Sequence, residues 1–268
     1  MNTFNVLEYN IYLGGEQRIE VEEDRTKLLR KVMRRVSPDL LVLLECNGWE
    51  KNNCALFRDY ERALGMKGHL AAGGDFSTAL MVSGRVKVLS FDFDPKPYWH
   101  LVMDACLETE GLGEFQVLAC HLHPFSPAER AREMELILSR VRPGTEALIL
   151  GDFNAIGPTD AKLPADIPQT FRERFVTGGV IDTRVFSLLD AQGYVDLYRK
   201  WHPKEPGYTI PTALMRNPLF EGTRLRLDYI FAGPQLARRL QDIQVLESEE
   251  TQRASDHFPL LAEFRLSD

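Results

Sequence analysis

The sequence predicts a single α/β domain of mixed strands and helices, and three observations carry that expectation. Short strand-like apolar runs recur along the chain and alternate with segments whose apolar residues fall on one helical face. No internal repeat, low-complexity tract or flexible linker divides the 268 residues. No apolar run approaches the roughly 20 residues of a membrane-crossing helix; even Leu40 to Leu44 stops at Glu45.

Taken in order, Phe4-Asn5-Val6-Leu7-Glu8-Tyr9-Asn10 alternates in part and runs into Gly14-Gly15, so it reads as an opening strand. From Glu22 to Val36, Leu28, Leu29, Val32, Met33 and Val36 share one helical face, and Arg25, Lys27, Arg30, Lys31, Arg34 and Arg35 occupy the rest. That basic run reads as a phosphate patch or as a solvated helix face, and the lack of accompanying aromatics favours the second. Ser37-Pro38 closes the helix, and Asp39-Leu40-Leu41-Val42-Leu43-Leu44-Glu45 suits a strand buried on both faces. Further strand-like segments lie at Ser77 to Val82, Val86 to Phe93, Leu101 to Thr109, Phe115 to His121, Ala147 to Leu150, Leu225 to Ala232 and Leu260 to Leu266. Pro127 to Val141 and Arg184 to Gln192 read as helices, while Gly157 to Gly179 reads as irregular. The segments Trp49 to Asp59 and Asp92 to His100 are expected to be loops.

The composition, 44% hydrophobic and 26% charged, is that of a globular protein, and the net charge of −7 opposes long-range attraction to a nucleic-acid backbone. The four cysteines lack the paired spacing of a zinc site. Cys106 and Cys120 would face each other across a hairpin turning near Glu110 to Gly113, without a redox role being expected. Met1 to Asn5 shows neither a basic nor an apolar leader region, so a cytoplasmic location is the default expectation.

Chemistry-bearing residues cluster where strands end. A buried strand that stops on a carboxylate or amide delivers that group to the rim of its sheet, where ligands of layered α/β proteins tend to sit. Asn10 ends the first strand, Glu45 the second, and His121 the hairpin strand, with His123 two residues on. Asp152 and Asn154 follow Ala147-Leu148-Ile149-Leu150-Gly151, Asp228 lies within Leu225 to Phe231, and Asp256-His257 precedes Phe258-Pro259-Leu260. Each alone reads as a cap or turn residue as readily as a catalytic one. Together they form a set of hard oxygen ligands with two histidines and no thiolate cluster, which suits Mg2+ or Mn2+ sharing its shell with a phosphate.

Tyr9-Asn10, Leu43-Leu44-Glu45, His121-Leu122, Gly151-Asp152-Phe153-Asn154, Arg226-Leu227-Asp228-Tyr229-Ile230 and Ser255-Asp256-His257 occur in the order of the endonuclease/exonuclease/phosphatase superfamily, which the chain resembles along essentially its whole length. Gly207-Tyr208-Thr209 resembles the family's approach to its penultimate motif. That group includes deoxyribonuclease-like nucleases, abasic-site endonucleases, neutral sphingomyelinases and inositol-polyphosphate phosphatases. The resemblance implies one catalytic domain spanning 1–268, folded as a four-layer α/β/β/α sandwich of two packed mixed sheets with helices outside. It also implies metal-assisted hydrolysis of a phosphate ester, with Glu45 as principal metal ligand beside Asn10 and Asp256. His257 would be the general base or the group orienting the attacking water, and Asp228 would hold its tautomer. Asp152 and Asn154 would position nucleophile and phosphate, and His121 would donate to a non-bridging oxygen.

Two positions depart from relatives. Leu44 stands where the family usually has glutamine, which removes a hydrogen bond behind the metal ligand and leaves Glu45 itself in place. His121 stands where abasic-site endonucleases carry tyrosine, so the phosphatase, sphingomyelinase and deoxyribonuclease branches fit better. The expected substrate is a phosphate mono- or diester of a small or medium organic molecule or head group. Duplex nucleic acid is disfavoured by the charge and by the lack of Lys/Arg-rich segments. A nuclease, and recruitment of the scaffold to another metal-assisted biosynthetic reaction, are the alternative readings. Arg226, His123 and Trp49 are candidates for substrate contact. Tyr98-Trp99-His100 and Trp49 read either as ordinary aromatic packing or as an apolar wall for an organic leaving group.

Overall fold

Leu40-Leu41-Val42-Leu43-Leu44 has no polar face to offer water, and all five residues are fully buried within a sheet covered on both sides. A computed structural model describes residues 3–16, 24–73, 76–160, 169–215 and 222–266. In it β1 (Thr3–Asn10), β2 (Leu40–Leu44), β3 (Lys67–Ala71), β4 (Thr78–Val82), β13 (Leu240–Val245) and β14 (Leu260–Arg265) form one six-stranded sheet in the order β13-β14-β1-β2-β4-β3. The second six-stranded sheet, ordered β11-β12-β8-β7-β6-β5, uses β5 (Val86–Asp94), β6 (Val102–Thr109), β7 (Gly113–His121), β8 (Glu146–Asp152), β11 (Val195–Asp196) and β12 (Asp228–Ala232). A short ribbon pairs β9 (Val176–Thr177) with β10 (Val180–Ile181).

Period-two alternation sorts the side chains of each strand into two layers. Phe4 and Val6 of β1, Val42 and Leu44 of β2, Val117 and Ala119 of β7, and Leu148 and Leu150 of β8 share one buried cluster between the sheets. The intervening Leu7, Tyr9, Leu41 and Leu43 face α1 (Thr26–Val36) and α2 (Lys51–Leu64) in a second cluster. Leu118, Ile149, Tyr229 and Phe231 face α3 (Pro127–Ser139) and α5 (Arg184–Ala191) in a third. The architecture is therefore the four-layer α/β/β/α sandwich. Four smaller helices, α4 (Gln169–Arg172), α6 (Leu197–Trp201), α7 (Pro234–Arg239) and α8 (Thr251–Ala254), and a 3-10 turn at Leu13–Gly15 complete the described elements. Truncating one of the sealed aliphatics to alanine would cost roughly 2–5 kcal/mol.

Several expectations require correction. The segment from Trp49 to Asp59 is largely helix α2, not loop, because Phe57 and Tyr60 cover the outer face of the first sheet. Its start carries no capping signal: Asn52, Asn53 and Cys54 have φ of 50°, 57° and 57°, so the first turn is not α-helical. Strands β3 and β13 lie at sheet edges, where one-sided burial leaves no clear apolar alternation to read. The strand expected over Leu225 to Ala232 begins only at Asp228, Leu225 making a single bridge to Ile210. In the β6–β7 hairpin Cys106 lies opposite Gln116 and Cys120 opposite Val102, so the two thiols do not face each other, and all four cysteines are free. Helix α1 starts at Thr26; Glu22 and Glu23 lie outside the described residues, and Arg25, expected on the solvated face, is buried. Among the described residues no helix is long and apolar enough to cross a membrane.

Candidate active site

The alternation that builds the inner core also builds the site. Continuing the inward series of β1 past Phe4 and Val6 brings Glu8 and then Asn10 to the space between the sheets. The same step takes β7 from Ala119 to His121 and β8 from Leu150 to Asp152. Parallel pairing of β1 with β2 and of β7 with β8 ends all four strands at one rim, with Asn10 beside Leu44 and His121 beside Asp152. Strand β12 runs antiparallel to β8 and begins at that rim, Asp228 opposite Asp152. Gly151 makes the close approach possible: a Cβ there would sit 2.0 Å from the Cys120 carbonyl oxygen, and its φ of +134° is one that side chains rarely adopt.

Backbone and side-chain hydrogen bonds then fix each group. Asn10 Nδ2 donates to Glu45 Oε1 at 3.2 Å and to Asp152 Oδ2 at 3.4 Å, while Leu13 N donates to Glu45 Oε2 at 3.0 Å. Ser255 Oγ donates to the Asn10 carbonyl at 2.6 Å and accepts from His257 N at 3.3 Å, joining the two ends of the chain. His257 Nδ1 lies 2.7 Å from Asp228 Oδ2, and its Nε2 lies 3.8 Å from Asp152 Oδ2. His121 Nε2 stands 3.3 Å from the same Asp152 oxygen. Asn154 N donates to Asp152 Oδ1 at 2.8 Å and its Nδ2 to the Leu122 carbonyl at 3.1 Å. Asp152, Asp228 and His257 present ligand atoms all within 4.8 Å of one another.

The electrostatics are those of crowded acids. Burial, reinforced by Asp256, pushes the Glu45 carboxyl up to about 7. Burial and then Asp228 push Asp152 up to about 8. Asp256 is raised by burial, against the pull of His257 and Arg25. Burial alone would favour neutral His257, but the carboxylate of Asp228 outweighs it and raises the imidazole well above its ordinary value. His121 moves the other way, held well below its ordinary value by burial and by the neighbouring His100 and His257. Its 3.3 Å approach to Asp152 is therefore that of a neutral imidazole and not an ion pair.

Glu45, Asn10 and Asp256, expected as ligands, lie at the rim with Asp152, but among the described residues the ligand atoms close enough to share one ion are those of Asp152, Asp228 and His257, and Asn10 turns its Nδ2 to Glu45 and Asp152 while its Oδ1 accepts from Tyr12 N. Buried acids raised by desolvation and mutual repulsion fit a divalent cation, which would relieve both. His257, Asp228, Asp152, Asn154 and His121 gather beside them. Three expected substrate contacts do not. Arg226 is 1% exposed at its side chain and spends its guanidinium on Asp160 and Asp196 at 2.7–3.0 Å. Trp49 is fully buried against Tyr60 and Phe57, its indole donating to the Gly14 carbonyl at 2.9 Å. His123 Nδ1 accepts from Phe125 N and Ser126 N, both at 3.1 Å, and so shapes the turn into α3.

Four further residues take roles at the site that the sequence reading does not assign them. Glu8 is fully buried with both carboxyl oxygens unpartnered, and burial followed by Asp228 raises it well above the usual carboxylate range. Its position two residues before Asn10 on an alternating strand was the available signal. Arg25 donates to the carbonyls of Ile11, Tyr12 and Ala254, tying the loop after β1 to the segment that leads into Asp256. Thr209 Oγ1 accepts from Leu227 N and Asp228 N, and its carbonyl accepts from Phe258 N, so it bolts β12 to the His257 loop. His100 stacks on His121 with ring centroids 3.9 Å apart.

Comparison with known proteins identifies the family and the fold. The model of the Endonuclease/Exonuclease/phosphatase family matches residues 3–257. An AP endonuclease from Archaeoglobus fulgidus superposes with a TM-score of 0.69 at 20% identity, over 97% of this chain and 99% of that one. The 3'-5' exonuclease NExo from Neisseria meningitidis gives 0.70 at 22% identity, over 98% and 100%. Humanized D. rerio TDP2 gives 0.68 at 17% identity, over 99% and 100%. At these identities the likeness is one of fold. No curated protein matches significantly.

Proposed function

The chain belongs to the endonuclease/exonuclease/phosphatase family, and from that premise we propose that it is a divalent-metal-dependent phosphoesterase, using Mg2+ or Mn2+, that hydrolyses a mono- or diester of a small or medium organic molecule. The observation that carries this reading is the rim itself, where Glu45, Asp152 and Asp256 are buried together with raised carboxyls beside a His257–Asp228 pair. Asn10, Glu45 and Asp256 would hold the cation, which when bound neutralises charge building on phosphoryl and leaving oxygens. Asp152 and Asn154 fix the attacking water beside His257, and the water's proton passes to Asp152 or to His257, whose Nε2 stands 3.8 Å from Asp152 Oδ2. Asp228 keeps that imidazole oriented and favours its charged form. His121, neutral, is buried at Nδ1 and turns Nε2 to the rim beside Asp152, where that nitrogen would donate to a phosphate oxygen.

A nuclease is the second reading, and one feature favours it: Lys27, Arg30, Lys31, Arg34 and Arg62 line one groove between α1 and α2. Asp59 and Glu250 already pair with several of these cations, and the net charge of −7 opposes a long polyanion. The test is turnover of model mono- and diesters and of single- and double-stranded nucleic acid, with Mg2+ and with EDTA. Metal-dependent release of phosphate or alcohol from the small esters, lost in Asp152→Ala and His257→Ala, is expected. No metal-dependent turnover by wild type, or undiminished turnover in those variants, overturns the proposal, and cleavage confined to nucleic acid selects the nuclease.

A further inference from the structure

Beyond His121 the site continues into a wall of rings that the chemistry does not use. His100 stacks on His121, and the residue before it, Trp99, lies against His123 with ring centroids 4.3 Å apart. Phe125 meets Trp99 edge-on at 6.0 Å. Trp99 and Phe125 are 54% and 52% exposed, large apolar rings held in water beside a buried polar centre. Single exposed hydrophobics are ordinary, but a contiguous exposed aromatic patch bordering a site marks binding. The guanidinium of Arg174 lies 4.8 Å over the Phe125 ring and pairs with no carboxylate among the described residues. Its plane extends the patch with a stacking cation.

The patch is held rigid by two buried charges of one helix. Glu133 accepts from Trp99 N at 2.6 Å and from His123 N at 2.7 Å, pinning both ring-bearing loops. Arg130 donates to the His123 carbonyl at 2.9 Å and to the Arg174 carbonyl, tying the third segment to the same point. Both side chains are almost completely buried. Loop residues fixed in this way lose little freedom when a ligand stacks on them, which is the condition for useful binding by an exposed ring.

We propose that Trp99 and Phe125 form an aromatic subsite for the alcohol portion of the substrate, so that the phosphate ester bears a planar ring, either an aryl group or a nucleobase. The inference rests on the phosphoesterase reading of the adjoining rim and narrows its substrate class. Stacking on such a platform is worth roughly 10-fold in affinity over a saturated group of equal bulk.

The experiment compares, in Mg2+, the calorimetric dissociation constants of benzylphosphonate and cyclohexylmethylphosphonate, which are not hydrolysed, and the kcat/KM of the corresponding esters. Adenosine 5'-monophosphate against ribose 5-phosphate reads whether the ring is a nucleobase. Wild type is expected to favour the aromatic member of at least one pair about 10-fold, Trp99→Ala to lose that preference and Trp99→Phe to keep most of it. Trp201→Ala, at another exposed tryptophan, should leave it intact. Equal affinities within both pairs in wild type, a preference unchanged in Trp99→Ala, or no measurable binding of any probe overturns the subsite. Metal-dependent turnover without a Trp99-dependent preference sinks the subsite alone. A Trp99-dependent preference among the phosphonates without any turnover supports the subsite and sinks the phosphoesterase reading.

Discussion

Two groups of buried charge lie side by side in this molecule and are built in opposite ways. Around Arg226 every charge has its complement: Asp160 and Asp196 accept from the guanidinium at 2.7–3.0 Å, Arg199 also pairs with Asp160, and Tyr229 stacks beneath at 4.5 Å. Two residues further along, at Asp228, acids crowd one another. Asp228 Oδ1 and both oxygens of Glu8 are unpartnered, and Glu45, Asp152 and Asp256 are pushed toward their neutral forms. A buried, closed network anchors chain, here the Gly157–Asp160 turn against α6 and the approach to β12. A buried, open one holds charge in readiness for something absent from the fold itself.

The contrast can be broken most forcefully at the rim. His257→Ala and Asp152→Ala are expected to lower kcat by about 10³-fold, the scale of a lost general acid or base. The thermal midpoint of Asp152→Ala should remain at or above wild type, because removing Asp152 also removes repulsion. A variant that instead unfolds would place Asp152 among the structural charges.

The reverse pattern is expected at Arg226. Replacing it by alanine strands two buried carboxylates, and urea unfolding should show a loss of about 3–5 kcal/mol. Whatever activity survives should have an unchanged KM, since the guanidinium is committed to Asp160 and Asp196. A KM that rises while stability holds would return Arg226 to the substrate.

The pH dependence of the metal-free protein sharpens the comparison further. Carboxyls raised to about 7 at Glu45 and about 8 at Asp152 lie above the unfolded-chain value of about 4. Their contribution to stability is therefore full below about pH 4 and is lost as pH rises through 7 and 8. Thermal midpoints measured in EDTA should fall across that window, and Mg2+ should restore more at pH 8 than at pH 5. Equal Mg2+ shifts at both values would disconnect the cation from these acids. The smallest effect is expected at Arg224, whose exposed pair with Glu247 at 3.0 Å is worth less than about 1 kcal/mol. Arg224→Ala should leave both the urea midpoint and KM within error.

What was legible in the sequence follows the same division. Residues that end an inward-facing alternation, Asn10, His121 and Asp152, were readable because strand period and strand end together fix where a side chain goes. Their order along the chain, with Glu45, Asp228 and Asp256-His257, carried the layered fold as well. At Arg226 a phosphate contact and a structural ion pair read equally well, because the partners that decide for the ion pair, Asp160 and Asp196, arrive from 66 and 30 residues away. Packing and a wall role are both readable at Trp49 because the helix that buries it opens without a cap or helical first turn. Glu8 was overlooked although Phe4, Val6 and Asn10 share its face; a carboxylate inside an apolar strand reads as solvent-facing until the second sheet is in place. The Trp99 patch could be named but not chosen over packing, since only the clamps from Glu133 and Arg130 hold its rings rigidly beside His121.

The most direct test of the open rim is calorimetric titration of Mg2+ and Mn2+ into wild type, Glu45→Gln and Arg224→Ala at pH 7 in buffers of different ionisation enthalpy. Saturable binding to wild type accompanied by proton release is expected, because Glu45 at about 7 is part-protonated before the cation arrives. Binding should fall by at least about 10-fold in Glu45→Gln and be unchanged in Arg224→Ala. Binding that is absent from wild type, or as tight in Glu45→Gln as in wild type, would contradict a cation site at this rim.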